Sequence, residues 1–496
     1  YINEVKMKSL KSEMQKINFK IWFMSLASIV LLFGSANKPQ LSTDTYSTLA
    51  APRWTYMHMI KDNGRIISGL IYKAVYDLNI GFTKIYYLSY FAGIIFAALA
   101  VMMLANVILK LSKCSEYTAT LISCTIIANL YSFEYYMFIE TGLFMLSLFS
   151  VTLAVSKTVA WFDTGDKKQL FLALLCLVVS VEIYQTHLAV YIIALAPIIM
   201  YYSKSVRSFV VNNIVILCQY TAAMIVGIVP TKYIFKSGRV QTAGSILNLS
   251  VLSSIRDNYI HTLNVIPHYR YILLIAFVLI LSFVFIFAAK ENRVIKMFSV
   301  IYVSVVTIGI SFAPYILSVS YDYSARILYP VMSVIGVLAF NMVLNLRVKD
   351  NNFHGYTVKL VFCTLFVCLI VKSMFFTRIF NDRYSINRID NLLANAIQSK
   401  ITEYETETGI TVTNVAFYND MYRTRSYPNI RTSNINLKMF DTTWSDMDGI
   451  NYYTGKSDWE SEPKDEYKKY FADKNWDGYD EGQLVFDGDT LHLCLF

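Results

Sequence analysis

The 496 residues are 55% hydrophobic and only 16% charged, with a mean hydropathy of +0.43, too apolar for a soluble domain, in which roughly a quarter of residues are charged. The net charge of +9 is scattered through short connectors and forms no aromatic-interleaved basic stripe, which argues against nucleic acid as a partner. The seven cysteines lie mostly within apolar runs and include no C-x-x-C pair, so neither a disulfide framework nor a cysteine metal site is indicated.

The opening residues are polar and basic without the pattern of a cleavable leader, so the first apolar run is expected to persist as a span. A bilayer crossing takes roughly 20 apolar residues, and on that ruler about eleven runs stand out. They lie near 18–34, 84–109, 117–133, 138–161, 168–184, 187–202, 208–234, 269–289, 294–316, 326–345 and 358–379. The stretch 168–202 is one apolar run broken by Glu182-Ile183-Tyr184-Gln185-Thr186-His187, which reads as a tight hairpin because such groups are costly in hydrocarbon. Basic residues such as Lys110, Lys167, Lys204, Arg293 and Lys349 fall in alternate connectors, which the positive-inside rule assigns to the cytoplasm. The intervening short connectors near 134 and 182 carry no Lys or Arg, and the one near 322 carries only Arg326. An odd number of spans then puts both 35–83 and everything beyond about 380 outside.

Within 35–83, the apolar stretch Ile66 to Tyr76 is too short to cross and predicts an amphipathic helix at the outer interface. A second outer segment, 235–268, reads as a polar loop. Composition changes at Asn381. Helical spacing follows at Ile386, Ile389, Leu392, Leu393, Ala396, Ile397 and Ile401, then a strand from Thr411 to Tyr418, and finally a hairpin turning at Asp487-Gly488-Asp489. The expected fold is a polytopic α-helical membrane protein over 1–380, followed by a small extracytoplasmic α/β domain over 381–496.

Polar side chains gather on the outer side. Asp44, some way beyond the first span, could act as a base at the membrane surface, with Asp62 and Asp77 of the same loop competing for the role, although a lone loop carboxylate is more often simply solvated. Arg65, in Asn63-Gly64-Arg65, could hold a phosphate through two parallel hydrogen bonds, or could snorkel to lipid headgroups. Glu182, Gln185 and His187 suit a sugar, as do Glu134 and Glu140 among the aromatics of 131–140; a polar hairpin and an interfacial aromatic cluster are the plain alternatives. Arg326, in Tyr321-Asp322-Tyr323-Ser324-Ala325-Arg326, breaks the charge rule once, for an anionic ligand or for an ion pair with Asp322. No HExxH, phosphate-binding loop, GxSxG or dinucleotide fingerprint is present, which leaves no confident cofactor and keeps a divalent metal open.

The chain resembles the Gtr-type glucosyltransferases, multispan enzymes first associated with bacteriophage serotype conversion. The resemblance rests on Asn63-Gly64-Arg65 leading into a short apolar helix, Tyr184-Gln185 at an outer hairpin, Arg326 with Pro330 entering a late span, and the stretch from Gly449 through Tyr453 and Gly455 to Tyr470 before the closing hairpin. It covers nearly the whole length, but no single motif is specific. It implies a GT-C-like fold and a hexose, glucose first, carried on a polyprenyl phosphate and moved onto a surface glycan outside the bacterial cytoplasmic membrane. It also implies a catalytic carboxylate in the first outer loop, which Asp44 matches best, although the family's doubled acidic pair is missing here. Arg65 and Arg326 would then hold the lipid phosphate, with Glu182, Gln185, His187, Glu140 and Asp322 around the sugar. A lipid-linked-sugar flippase and a membrane-anchored glycan-binding scaffold are the competing readings.

Overall fold

The computed structural model describes residues 19–112, 114–236, 279, 282, 293–311, 324–345, 351–419, 437–442, 445–456, 459–462, 467–471, 474, 476 and 479–495. Among these, eight helices are long and apolar enough to cross a bilayer, as in an integral membrane protein. In chain order the helices are α1 (Phe19–Asn37), α2 (Thr43–Ala50), α3 (Pro52–Lys61), α4 (Ile66–Asp77), α5 (Phe82–Leu111), α6 (Glu116–Ile127) and α7 (Thr141–Thr164). There follow α8 (Lys167–Ile183), α9 (Leu188–Tyr202), α10 (Val206–Val229), α11 (Arg293–Ser311), α12 (Ala325–Asn345), α13 (Asn351–Thr408), α14 (Asp446–Thr454) and the short α15 (Tyr467–Phe471). All but the first two residues of the expected outer segment 235–268, most of the expected span 269–289, and Asp322 lie outside the described residues.

The expected span 117–133 is corrected. Helix α6 has 12 residues, about 18 Å at 1.5 Å per residue, and it stops inside the protein, where its last carbonyls must find donors. They find them in neighbouring helices. The Ser333 hydroxyl donates to Ile126 C=O at 2.9 Å, Tyr329 to Ile127 C=O at 2.6 Å and the Lys372 amine to Ala128 C=O at 2.7 Å. Gly336 lets α12 come this close, because a Cβ there would lie 2.6 Å from the Ile126 side chain. From Asn129 the chain continues through a buried 3-10 turn at Ser132–Met137 to reach α7. Helix α8 has 17 residues, and the hairpin after it is the 3-10 turn Gln185–His187, which together with α9 makes one of the eight long apolar helices.

Contacts at the two ends of α5 and α7 show that these helices run parallel. Gly142 N–H donates to Ser89 Oγ at 2.9 Å near their starts, and Lys110 pairs with Asp163 near their ends. The Lys110 end of the bundle also holds the Lys20–Glu116 ion pair, at 3.3 Å, and the bond from the Tyr202 hydroxyl to Asp163, at 2.6 Å. The opposite end carries the helices of the long 35–83 segment, which is more helical than expected: besides α4, over the stretch expected to lie at the interface, it forms α2 and α3.

The change of composition at Asn381 falls inside α13, one continuous helix of 58 residues. Its far part packs under a four-stranded sheet of β1 (Asn414–Asn419), β2 (Glu460–Glu462), β3 (Leu484–Asp487) and β4 (Thr490–Leu495), in the order β2-β1-β4-β3. β1 runs parallel to both its neighbours, and β3 with β4 forms the expected antiparallel hairpin, turning at Gly488 with φ +62°. Ala394, Ile397 and Ile401 of α13 share a core with Val415, Phe417, Leu491 and Leu493. Leu41 and Tyr46 belong to the same core, so the segment after α1 is built into the C-terminal unit. Leu392, expected on the apolar face, is instead 69% exposed.

Candidate active site

Arg326 opens α12, and two other parts of the chain converge on it. Its Nη1 lies 3.1 Å from Glu134 Oε1, and its Nη2 lies 3.5 Å from Asp44 Oδ2. The Arg326 backbone N–H donates to Glu134 Oε2 at 2.5 Å, the Tyr135 hydroxyl donates to the Arg326 carbonyl at 2.7 Å, and the Phe138 ring centre lies 4.5 Å from the guanidinium carbon. Glu134 and Tyr135 lie in the buried 3-10 turn that follows the early end of α6, and Phe138 comes immediately after it. The Glu134 side chain is 7% exposed and that of Asp44 46%. One carboxylate therefore anchors the guanidinium from below while the other meets it from the open side.

Glu140 stands immediately before α7, within electrostatic reach of Asp44 and Arg326. Part of the residue is open to solvent, but its carboxyl is packed against the buried Tyr72 hydroxyl of α4, and burial raises its pKa above the ordinary carboxylate range. The Tyr72 hydroxyl and Arg326 oppose that rise. Asp44 and Glu140 are thus two carboxyl groups in unlike surroundings, the first half exposed and the second packed against Tyr72, within electrostatic reach of each other. The sequence offered Glu140 as a sugar ligand; the structure puts it in the Asp44–Arg326 group.

Arg65 forms a second group next to the first. Its Nε donates to Gln185 Oε1 at 3.3 Å, its guanidinium carbon lies 4.6 Å from the centre of the Tyr184 ring, and Gln185 Nε2 donates to Asn63 C=O at 2.6 Å. The turn that presents Arg65 depends on Gly64, at φ +63°, where a Cβ would lie 2.1 Å from Thr231 Oγ1. Tyr184 in turn meets Tyr135 edge-on at 5.8 Å, so aromatic packing joins the two arginine groups.

The remaining expected sugar ligands have other positions. Glu182 accepts the N–H of Ile66 at 3.2 Å and so caps α4 from the neighbouring helix. His187 is 0% exposed, ringed by Tyr135, Tyr184 and Tyr329, and among the described residues neither ring nitrogen has a hydrogen-bond partner. The sequence reading assigned no role to Tyr72, nor to the polar contacts of α13 with Leu41. Among the described residues, no group of three or more His, Cys, Asp or Glu side chains is placed to hold a metal ion. No family of known proteins matches the chain, and comparison with curated proteins finds no relative.

Proposed function

We propose that this chain is an inverting membrane glycosyltransferase of GT-C-like architecture, moving a hexose, with glucose first, from a polyprenyl phosphate to a surface glycan outside the bacterial cytoplasmic membrane. The observation that carries the reading is Asp44 beside Arg326, with Glu140 within electrostatic reach of both and Arg65 in the adjoining group, all at one end of an apolar helix bundle. The lysines and arginines of the opposite connectors support an extracytoplasmic position for that end.

In the proposed reaction Asp44 takes the proton of the acceptor hydroxyl as its oxygen attacks the anomeric carbon. The bond from that carbon to the phosphate oxygen breaks, and its electron pair leaves with the polyprenyl phosphate. Arg326 and Arg65 stabilise the charge that develops on that phosphate, a role that needs no nucleotide. Glu140 is the second candidate for the proton acceptor, on the strength of its buried carboxyl.

Purified protein in vesicles supplied with a radiolabelled hexosyl polyprenyl phosphate and a glycan acceptor is expected to label the acceptor. Movement of the donor across the bilayer without labelling would identify a flippase instead, and glycan binding without either would identify a scaffold.

A further inference from the structure

We infer that Asn387, on the part of α13 beyond the bundle, is a positioning residue for Asp44; the inference rests on the transferase reading above. Asn387 presents both halves of its amide to Leu41: Oδ1 accepts from Leu41 N–H at 3.0 Å and Nδ2 donates to Leu41 C=O at 3.0 Å. Nδ2 also reaches the Tyr46 hydroxyl at 3.2 Å. The Tyr46 hydroxyl meets that of Tyr453 at 2.8 Å, and Tyr453 donates to Asn387 C=O at 3.1 Å, which closes a ring of polar contacts between α2, α13 and α14. One turn earlier on α13, the Arg383 guanidinium donates to the carbonyls of Leu41 and Leu437. Asn387, Tyr46 and Arg383 are all buried.

Leu41 and Tyr46 flank Asp44 in sequence, so both sides of the carboxylate are tied to the C-terminal unit while Asp44 itself meets Arg326 across the site. Helix α2 has 8 residues, too few to hold its own shape or direction in water. The direction of the Asp44 side chain is therefore set from outside α2, by an amide more than three hundred positions later in the chain. On this account the sheet-bearing unit completes the reaction centre, and any glycan contact it makes is additional.

The test uses full-length protein in vesicles, with Asn387→Ala and the milder Tyr453→Phe. Displacing a reacting group by an ångström costs about a hundredfold in rate. Asn387→Ala is accordingly expected to lower kcat roughly ten- to a hundredfold with the donor KM within about twofold, and Tyr453→Phe to show a smaller drop of the same kind. Hydrogen exchange supplies a readout independent of transfer: the peptide carrying Leu41 and Tyr46 should exchange faster in both variants, while peptides from β1 and β4 keep their wild-type protection. Wild-type exchange at Leu41 and Tyr46 in a folded variant overturns the inference, as does unchanged kcat where the wild type transfers. If the wild type transfers nothing, the transferase reading fails while the exchange result still decides whether Asn387 orders this segment. Should Asn387→Ala fail to fold, Tyr453→Phe decides both.

Discussion

The two arginines at the same end of the bundle are oriented in different ways. Arg326 is held by carboxylates, Glu134 at 3.1 Å and Asp44 at 3.5 Å, whereas the contacts that orient Arg65 include the amide of Gln185 and the ring of Tyr184. The nearby Glu182 carboxylate goes to the backbone of α4. On the proposed reading, a phosphate arriving at Arg326 competes with Asp44 and in doing so frees that carboxylate for an acceptor hydroxyl. On the same reading, a phosphate arriving at Arg65 meets a cation whose contacts include a stacked ring and an amide. On the proposed reading the first arginine couples donor binding to chemistry and the second docks the donor.

The largest effect expected to break this contrast comes from Arg326→Met. Transfer should fall by about a thousandfold, the cost of removing a preorganised group that meets developing charge, and Arg326→Lys should recover only part of it because the two-pronged geometry is lost. Loss of the guanidinium leaves the buried Glu134 with the backbone N–H of residue 326 still donating to it, and should also cost about 1–3 kcal/mol of stability, read as a lower unfolding temperature in detergent. Equal losses from Arg65→Met would erase the distinction between the two sites; the expectation there is mainly a higher donor KM.

Comparable in size is Asp44→Asn, expected to lower kcat about 10²–10⁴-fold, and its comparison with Glu140→Gln assigns the base. If the Glu140 variant loses more, the roles proposed for the two carboxyl groups must be exchanged. Glu140 also carries a pH signature. Burial raises its pKa above the ordinary 4.5, so the folded protein keeps a proton that the unfolded chain has already released. Its contribution to stability is full below that ordinary value and is lost as pH rises through the raised one. Glu140→Gln should flatten this part of the profile, seen by comparing unfolding temperatures of the two proteins across the carboxylate range and above it.

The helical bundle was legible because apolar runs of bilayer length leave few alternatives, and the hairpin at 484–495 because Asp-Gly turn chemistry is local. The early end of α6 was not. Ser333, Tyr329 and Lys372 satisfy its carbonyls from positions more than two hundred residues away, and a hydropathy window sees only the apolar run. The face of α13 at Arg383, Asn387 and Asp390 was hidden for a related reason. Those residues share one side of the helix, but their polarity suggests solvent when they in fact hold Leu41 and Met439. Of the site, Arg326 announced itself by breaking the charge rule. Its partnership with Glu134 could not be read from two residues so distant in the chain.

The smallest effect on activity, and the sharpest check on the limits of the site, is expected from His187. In sequence it stands with Gln185 in a hairpin of sugar-binding residue types, yet only Gln185 reaches Arg65, while the imidazole is sealed among three tyrosine rings. Burying nitrogens without partners costs about 1–3 kcal/mol, and phenylalanine fills a similar volume without them. His187→Phe should therefore leave transfer within about threefold and raise the unfolding temperature, as relief of that cost requires. A hundredfold loss of transfer at unchanged stability would mean that the imidazole reaches the substrate in a state with the tyrosine cage open, and the edge of the site would move inward to include it.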